Sequence, residues 1–180
     1  MLSYAQKKQL ATARESLKTG KELVKAEKSM QNLLEDSVNR TNTKIWVMLC
    51  DILMKQYEQG NEKLYLKQQY DTAAFFSVTK RMYETMAKFD SIDAHLNMPS
   101  PVLPKYRERH AQFLNSIRPN LFNGGTYFLH VKDYKTAYDY FDNYIKTDKQ
   151  SLFIGYDYEH KDDLMPHAAY WAMYCGYKLG

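Results

Sequence analysis

Cysteine and glycine are scarce in this chain, with two cysteines and seven glycines in 180 residues. Cys50 and Cys175 lie 125 positions apart, and neither has a companion at metal-ligand spacing. Both fall in apolar helical patterns, where a free cysteine behaves as a small hydrophobe, so both are expected in the core. Long apolar runs are missing too. The richest, Ile45 to Met54, is cut by Asp51, well short of the roughly eighteen residues that suggest a membrane span, so no membrane insertion is expected. Charge of one sign is not gathered into a block. The 25 Lys+Arg and 21 Asp+Glu leave a net +4 spread along the chain, and basic residues do not line one helix face, which speaks against nucleic acid as a partner.

Catalytic signatures are also lacking. The Gly124-Gly125 pair has neither G-x-x-x-x-G-K-[ST] nor G-x-G-x-x-G spacing, and no strand precedes it, so it does not read as a phosphate loop. His95, His110, His130, His160 and His167 are scattered without an H-E-x-x-H pair, and no G-x-S-x-G elbow occurs. No enzyme activity, cofactor or metal is expected. The one acidic cluster, Glu159, His160, Asp162 and Asp163, has hard ligands enough for a cation. Its simpler reading is that Asp162 and Asp163 cap the helix that follows and favour its dipole.

What is present is ordinary globular composition, 44% hydrophobic and 26% charged, with an excess of tyrosine, 16 copies. A chain of 180 residues can bury a real core without a staple and suits one domain spanning 1–180. Tyrosine offers an apolar body with a polar tip, useful in helix packing and on a wet binding surface.

Helical periodicity dominates and no period-two alternation competes with it. Apolar positions predict helices from Tyr4 to Thr19 and from Lys21 to Glu35 (Leu23, Ala26, Met30, Leu33), separated by Gly20 as a helix stop. Asn and Thr in "NRTNTK" predict caps before a helix carrying Ile45, Trp46, Leu49, Cys50 and Leu53. Asn39 also heads a formal glycosylation sequon, most simply a cap. An irregular inserted stretch is expected near 54–70. A helix from Asp71 to about Ala87 follows (Ala74, Val78, Met82, Met86), then a Pro-rich connector near 95–104. Lys105 to Ile117 reads helical, and Pro119 either breaks that helix or sits in the first turn of the next. The next helix runs to about Val131, then comes "DYKTAYDYFDNYI", then a loop, then a last helix from about Pro166. The expected class is all-α, with about seven or eight helices in antiparallel pairs.

Self-similarity adds to this reading. Gly125, Phe128, Ala137 and Phe141 stand at offsets 0, 3, 12 and 16 with "KDYKTA" at the turn between, a pattern that resembles the tetratricopeptide (TPR) repeat. The small residues let paired helices approach and the aromatics fill the gaps beside them. Trp46, Leu49, Cys50 and Leu53 match the first-helix pattern, and Ala26, Met30 and Leu33 the second. The closing "YWAMYCGYKLG" is similar to the start of one more repeat, as in a fragment of a longer chain. Residues 119–147 carry the resemblance most fully and 61–118 least. The tyrosine- and lysine-rich style is similar to that of uncharacterised bacterial TPR proteins.

The resemblance implies a right-handed superhelix whose concave groove holds a peptide or partner protein. It implies groove contacts from Phe122, Thr126, Leu129 and His130 in one helix and from Tyr170, Tyr174, Tyr177 and Lys178 in the last. An aromatic stripe at this spacing is more often core than groove. An uncovered last helix would leave an apolar face for a dimer or a longer chain to cover. The alternative function is a small-molecule or glycan binder with a tyrosine-lined pocket shaped by 54–70. Ser3 and Ala5 fit the end of a secretory signal, which would place the protein in the periplasm or outside the cell, but an ordinary chain start in the cytoplasm fits them as well.

Overall fold

The structure is a computed structural model that describes residues 4–96 and 103–180. The connector's central residues, 97–102, and the first three residues of the signal-like start lie outside the described part. Among the described residues the chain is all-helical, with nine α-helices, three short 3-10 turns and no strand. One domain over 1–180 was expected; the chain's contacts divide it into two compact units, Met1–Asp71 with Glu84–Pro104 and Thr72–Tyr83 with Lys105–Gly180.

In the first unit, α1 (Tyr4–Thr19) ends at Gly20, whose φ of +69° is the left-handed conformation a helix stop requires. The chain turns back into α2 (Leu23–Glu35), which lays Leu23, Ala26, Met30 and Leu33 against its neighbours. The Asn42 side chain caps α3 (Thr43–Tyr65) by accepting from the Lys44 amide at 3.1 Å. The irregular stretch expected near 54–70 is corrected: α3 stays helical through Tyr65, because Gln56, Tyr57 and Gly60 continue its buried stripe. Gln56 donates to the buried Glu27 carboxylate at 2.7 Å, and Gln59 donates to the Gly20 carbonyl at 2.8 Å. These partners give a polar sequence a reason to stay wound.

α4 (Thr72–Leu96) also runs past its expected end near Ala87, since Phe89 stays fully buried and stacks on Trp46 with planes 3° apart. It contributes Thr72–Tyr83 to the second unit and its remainder to the first.

In the second unit, α5 (Arg107–Ile117) is followed by α6 (Pro119–His130), with Pro119 in its first turn. There its missing N–H costs nothing. α7 (Tyr134–Lys146) is capped by Asp133, which accepts from the Thr136 amide at 3.1 Å. Two 3-10 turns and the four-residue α8 (Tyr158–Lys161) follow, then α9 (Leu164–Leu179), which starts two residues before Pro166. Among the described residues, α8 is the one α-helix beyond the eight ranges read from the sequence, and it brings the count to nine.

α6 and α7 form a helical hairpin whose closeness is set by two glycines. A β-carbon on Gly125 would lie 2.7 Å from the Phe141 ring, and one on Gly124 would lie 2.6 Å from the Tyr140 ring. Any larger residue would push the helices apart and forfeit packing on both sides. Gly125→Ala is therefore expected to destabilise the protein by about 1–3 kcal/mol. Gly176→Ala is the control, because its nearest neighbour is a Tyr138 ring atom at 4.0 Å, and higher helix propensity should make it neutral or stabilising by up to about 1 kcal/mol. Urea unfolding followed by circular dichroism compares the two, and equal midpoints would remove the close-approach explanation.

Candidate functional site

α7 is the shared wall on which the candidate residues are hung. Ala137, Tyr140, Phe141 and Tyr144, spaced three and four apart, are all buried. α6 packs on one side of α7 and α9 on another. α9 meets α7 through the small residues Ala168, Ala172 and Cys175, all buried. Burial raises the Cys175 thiol above its ordinary pKa, which keeps it protonated and inert. Cys50 is equally buried, so both cysteines are the core residues expected of them.

With its small residues turned inward, α9 shows its aromatics to solvent. Tyr170 is 54% exposed, Met173 68% and Tyr177 81%. The tyrosine stripe is thus a surface in this structure and not a core. Tyr174, half-buried, anchors it: its ring meets Trp171 at 5.7 Å and Tyr134 of α7 at 6.3 Å, both edge-on, and the Lys178 ammonium lies 5.4 Å from its centroid. Tyr170 in turn packs edge-on against Trp171 at 5.0 Å. Edge-to-face contacts of this kind hold exposed rings in place at little entropic cost.

The α6 residues divide. Phe122 is spent on α7, edge-on to Phe141 at 5.4 Å and Tyr144 at 5.8 Å. Thr126 returns its hydroxyl proton to the Phe122 carbonyl at 3.2 Å, Leu129 is half-buried and His130 is exposed at the helix end. Among the described residues, no hydrogen bond or ring contact joins this set to the α9 set.

The largest polar construction in this unit was not foreseen. Arg118, only 4% exposed, lies with its guanidinium between the rings of Tyr144 at 3.8 Å and Tyr158 at 3.7 Å. Its Nε donates to Thr147 Oγ1 at 2.9 Å, one terminal nitrogen donates to Asp162 Oδ2, and the other donates to the Tyr144 carbonyl at 3.2 Å and lies 3.2 Å from Met165 Sδ. The Tyr144 hydroxyl also donates to Asp162 Oδ2, at 2.5 Å, and the Tyr158 hydroxyl donates to Asn115 Oδ1 at 2.8 Å. Both faces of the guanidinium and its main donors are taken, which leaves the cluster no opening for a ligand. It fixes the start of α6, the end of α7 and the entry to α9.

Asp162 does cap α9 as expected, its Oδ1 accepting from the Leu164 amide at 2.9 Å, while Asp163 makes no side-chain cap. The acidic cluster does not converge on a cation. Asp162 is held by Arg118, Glu159 by Lys149 at 2.7 Å, and His160 Nδ1 by Asp157 at 2.6 Å. Among the described residues, no three His, Cys, Asp or Glu gather as a metal site, and no helix is long and apolar enough to cross a membrane. In the first unit, a cleft of about 580 Å³ is lined by Lys63, Gln59 and Tyr70, with the Lys63 ammonium 5.5 Å from the Tyr70 centroid. This is where the 54–70 region shapes a pocket, with a single tyrosine at its edge.

No family model, curated protein or solved structure matches the chain.

Burial alone would push the Asp162 carboxyl up, but the hydrogen bonds from Tyr144 and Arg118 outweigh it and hold the carboxyl below its ordinary range. Burial raises the Tyr144 and Tyr158 hydroxyls, so both remain protonated. A depressed carboxyl contributes stability that is present above its unfolded pKa of about 3.9 and is lost as pH falls through the folded value. Asp162→Asn should therefore be clearly less stable than the parent at neutral pH, with the gap closing below about pH 4. Arg118→Ala, which removes a buried, stacked guanidinium and leaves the partly buried Asp162 carboxylate unpaired, should cost about 2–4 kcal/mol at neutral pH. Unfolding midpoints measured from neutral to acid pH check both, and a pH-independent gap for Asp162→Asn would contradict the ion-pair account.

Proposed function

We propose that this chain is a non-enzymatic interaction module, a divergent TPR-type array of helix pairs in a right-handed superhelix, that holds a peptide or partner protein against α9. The observation that carries this reading is the exposed aromatic side of α9, Tyr170, Met173 and Tyr177, presented from a helix whose other side is fully spent on α7. A helix that is apolar on both sides is ordinarily buried, and exposed tyrosines braced by neighbouring rings are typical anchors of binding hot spots.

Two features support the repeat-type part of the reading. Gly125 sits against Phe141, the small and aromatic pair that the resemblance assigns to close packing within a repeat. α7 packs on α6, the helix before it, and, beyond two 3-10 turns and the four-residue α8, on α9, an arrangement that stacked helix pairs would produce. In this reading Thr126, Leu129 and His130 flank the ligand, Tyr170, Tyr174, Tyr177 and Lys178 grip it, and Phe122 serves as a structural support for α6.

Panning a displayed peptide library on the purified protein tests the reading. Enriched peptides should bind the parent and lose at least about tenfold in affinity, roughly 1.4 kcal/mol, to the pair of substitutions Tyr170→Ala and Tyr177→Ala, with helix content unchanged by circular dichroism. Peptides that bind the folded variant as well as the parent would remove α9 as the binding face.

A further inference from the structure

We infer that the cleft between the start of α2 and the later turns of α3 takes a small hydroxylated anion, a sugar that carries a phosphate or a carboxylate. The inference does not rest on α9, because every residue of this cleft belongs to the first unit. Its volume of about 580 Å³ is within the range that holds small molecules. The charged residues on its wall are Glu22, Lys25, Lys28 and Lys63. Glu22 is taken by Lys25 at 3.4 Å, so the uncompensated charge is that of Lys28 and Lys63. Both are exposed, and neither is in an ion pair among the described residues. Tyr70 steadies one of them. Its ring packs on Gly60, where a β-carbon would lie 2.8 Å away, and the Lys63 ammonium stands 5.5 Å from its centroid.

Two cations alone would suit any anion, and the glutamines of the cleft narrow the choice. Gln56, only 7% exposed, and Gln59, half-buried, both line it. Each spends its amide nitrogen on the protein, Gln56 donating to Glu27 at 2.7 Å and Gln59 to the Gly20 carbonyl at 2.8 Å. The two side chains are thereby pinned, while their amide oxygens accept no hydrogen bond among the described residues. Such oxygens call for donors from a ligand. Gln56 and Gln59 stand three positions apart on α3, neighbours on one helix face, so two acceptors are offered side by side, as hydroxyls on one ring require. A bare anion answers the lysines but sets lone pairs against these oxygens. A neutral sugar answers the oxygens but leaves the lysines unpaired. A hydroxylated ring with an anionic group answers both, and its C–H surface meets the apolar surface of Tyr70 and the exposed Val24.

Titration calorimetry of the purified chain with glucose 6-phosphate, glucuronate, glucose and inorganic phosphate tests the inference. At least one of the two anionic sugars should bind saturably, with a dissociation constant of about 1 mM or below. Glucose alone and phosphate alone should each bind at least about tenfold more weakly. Lys28→Ala combined with Lys63→Ala should weaken binding of the anionic sugar about tenfold with circular dichroism unchanged, and added salt should weaken it in the parent. Lys88→Ala is the control, because its ammonium stands over Trp46 at 5.7 Å and outside this cleft, so binding should be unchanged. No saturable binding of either anionic sugar up to about 10 mM, phosphate alone binding as tightly as the anionic sugar, or a double variant that binds like the parent would each overturn the inference. None of these results bears on α9, whose reading stands or falls on the peptide panning.

Discussion

The stacking of the Arg118 guanidinium between Tyr144 and Tyr158 is the constraint on which the carboxy-terminal unit turns. A cation this deeply buried is unfavourable unless most of its donors are used and a counter-charge is near. Here the conditions are met by residues from four places in the chain: Tyr144 and Thr147 at the end of α7, Tyr158 in α8, Asp162 in the following turn and Met165 in α9. Planarity explains why arginine suits the position. A lysine ammonium could reach one carboxylate, but it could not fill a flat slot between two rings while donating around its edge. Because the cluster includes both the cap of α9 and the end of α7, the approach of α9 to α7 is set by polar geometry at one end and by small-residue packing along the rest.

That division of labour explains how α9 can expose so much aromatic surface. Its inward residues are Ala168, Ala172 and Cys175, which give close contact but bury little apolar area each, since burial stabilises roughly in proportion to area. A helix held by such small residues alone would be weakly attached. Arg118 with Asp162, and the edge-on contact of Tyr174 with Tyr134, supply directional anchors at separate points along α9. The aromatic side is thereby left out of the packing against α7. Tyrosine does both jobs in this unit. Tyr83, Tyr140 and Tyr144 are among the most deeply buried side chains, Tyr83 donating its hydroxyl to the Leu114 carbonyl, while Tyr170 and Tyr177 stand in solvent.

Much of the helical layout was legible in the sequence because it rests on local rules. Gly20 stopping α1, Asn42 and Asp133 capping α3 and α7, and Pro119 opening α6 each depend on residues within one turn of one another. The Gly125–Phe141 contact was legible too, since its spacing is short and its chemistry, small against large, is distinctive. Helix lengths were not. The polar stretch after Leu53 reads as loop, but it stays helical because Gln56 finds Glu27 and Gln59 finds Gly20, partners 29 and 39 positions away. Arg118 was invisible for the same reason. Its partners lie 26 to 47 positions along the chain, and in the sequence it is one basic residue between two helical patterns. The face of α9 also needed the structure, because a stripe of tyrosines three and four apart is more often core than surface, and Tyr170 and Tyr177 are exposed here only because the opposite side of the helix is the one that packs.

The choice of tyrosine for that surface has a physical logic of its own. A stripe of leucine of equal area would attract any apolar surface, including misfolded chains, and would penalise the free state heavily in water. Tyrosine keeps most of the apolar area while its hydroxyl stays hydrated, so the unbound face is tolerated and the bound face still gains from ring packing. Bracing Tyr170 on Trp171 and Tyr174 on Tyr134 restricts the rotamers before any partner arrives, which lowers the entropy lost on association.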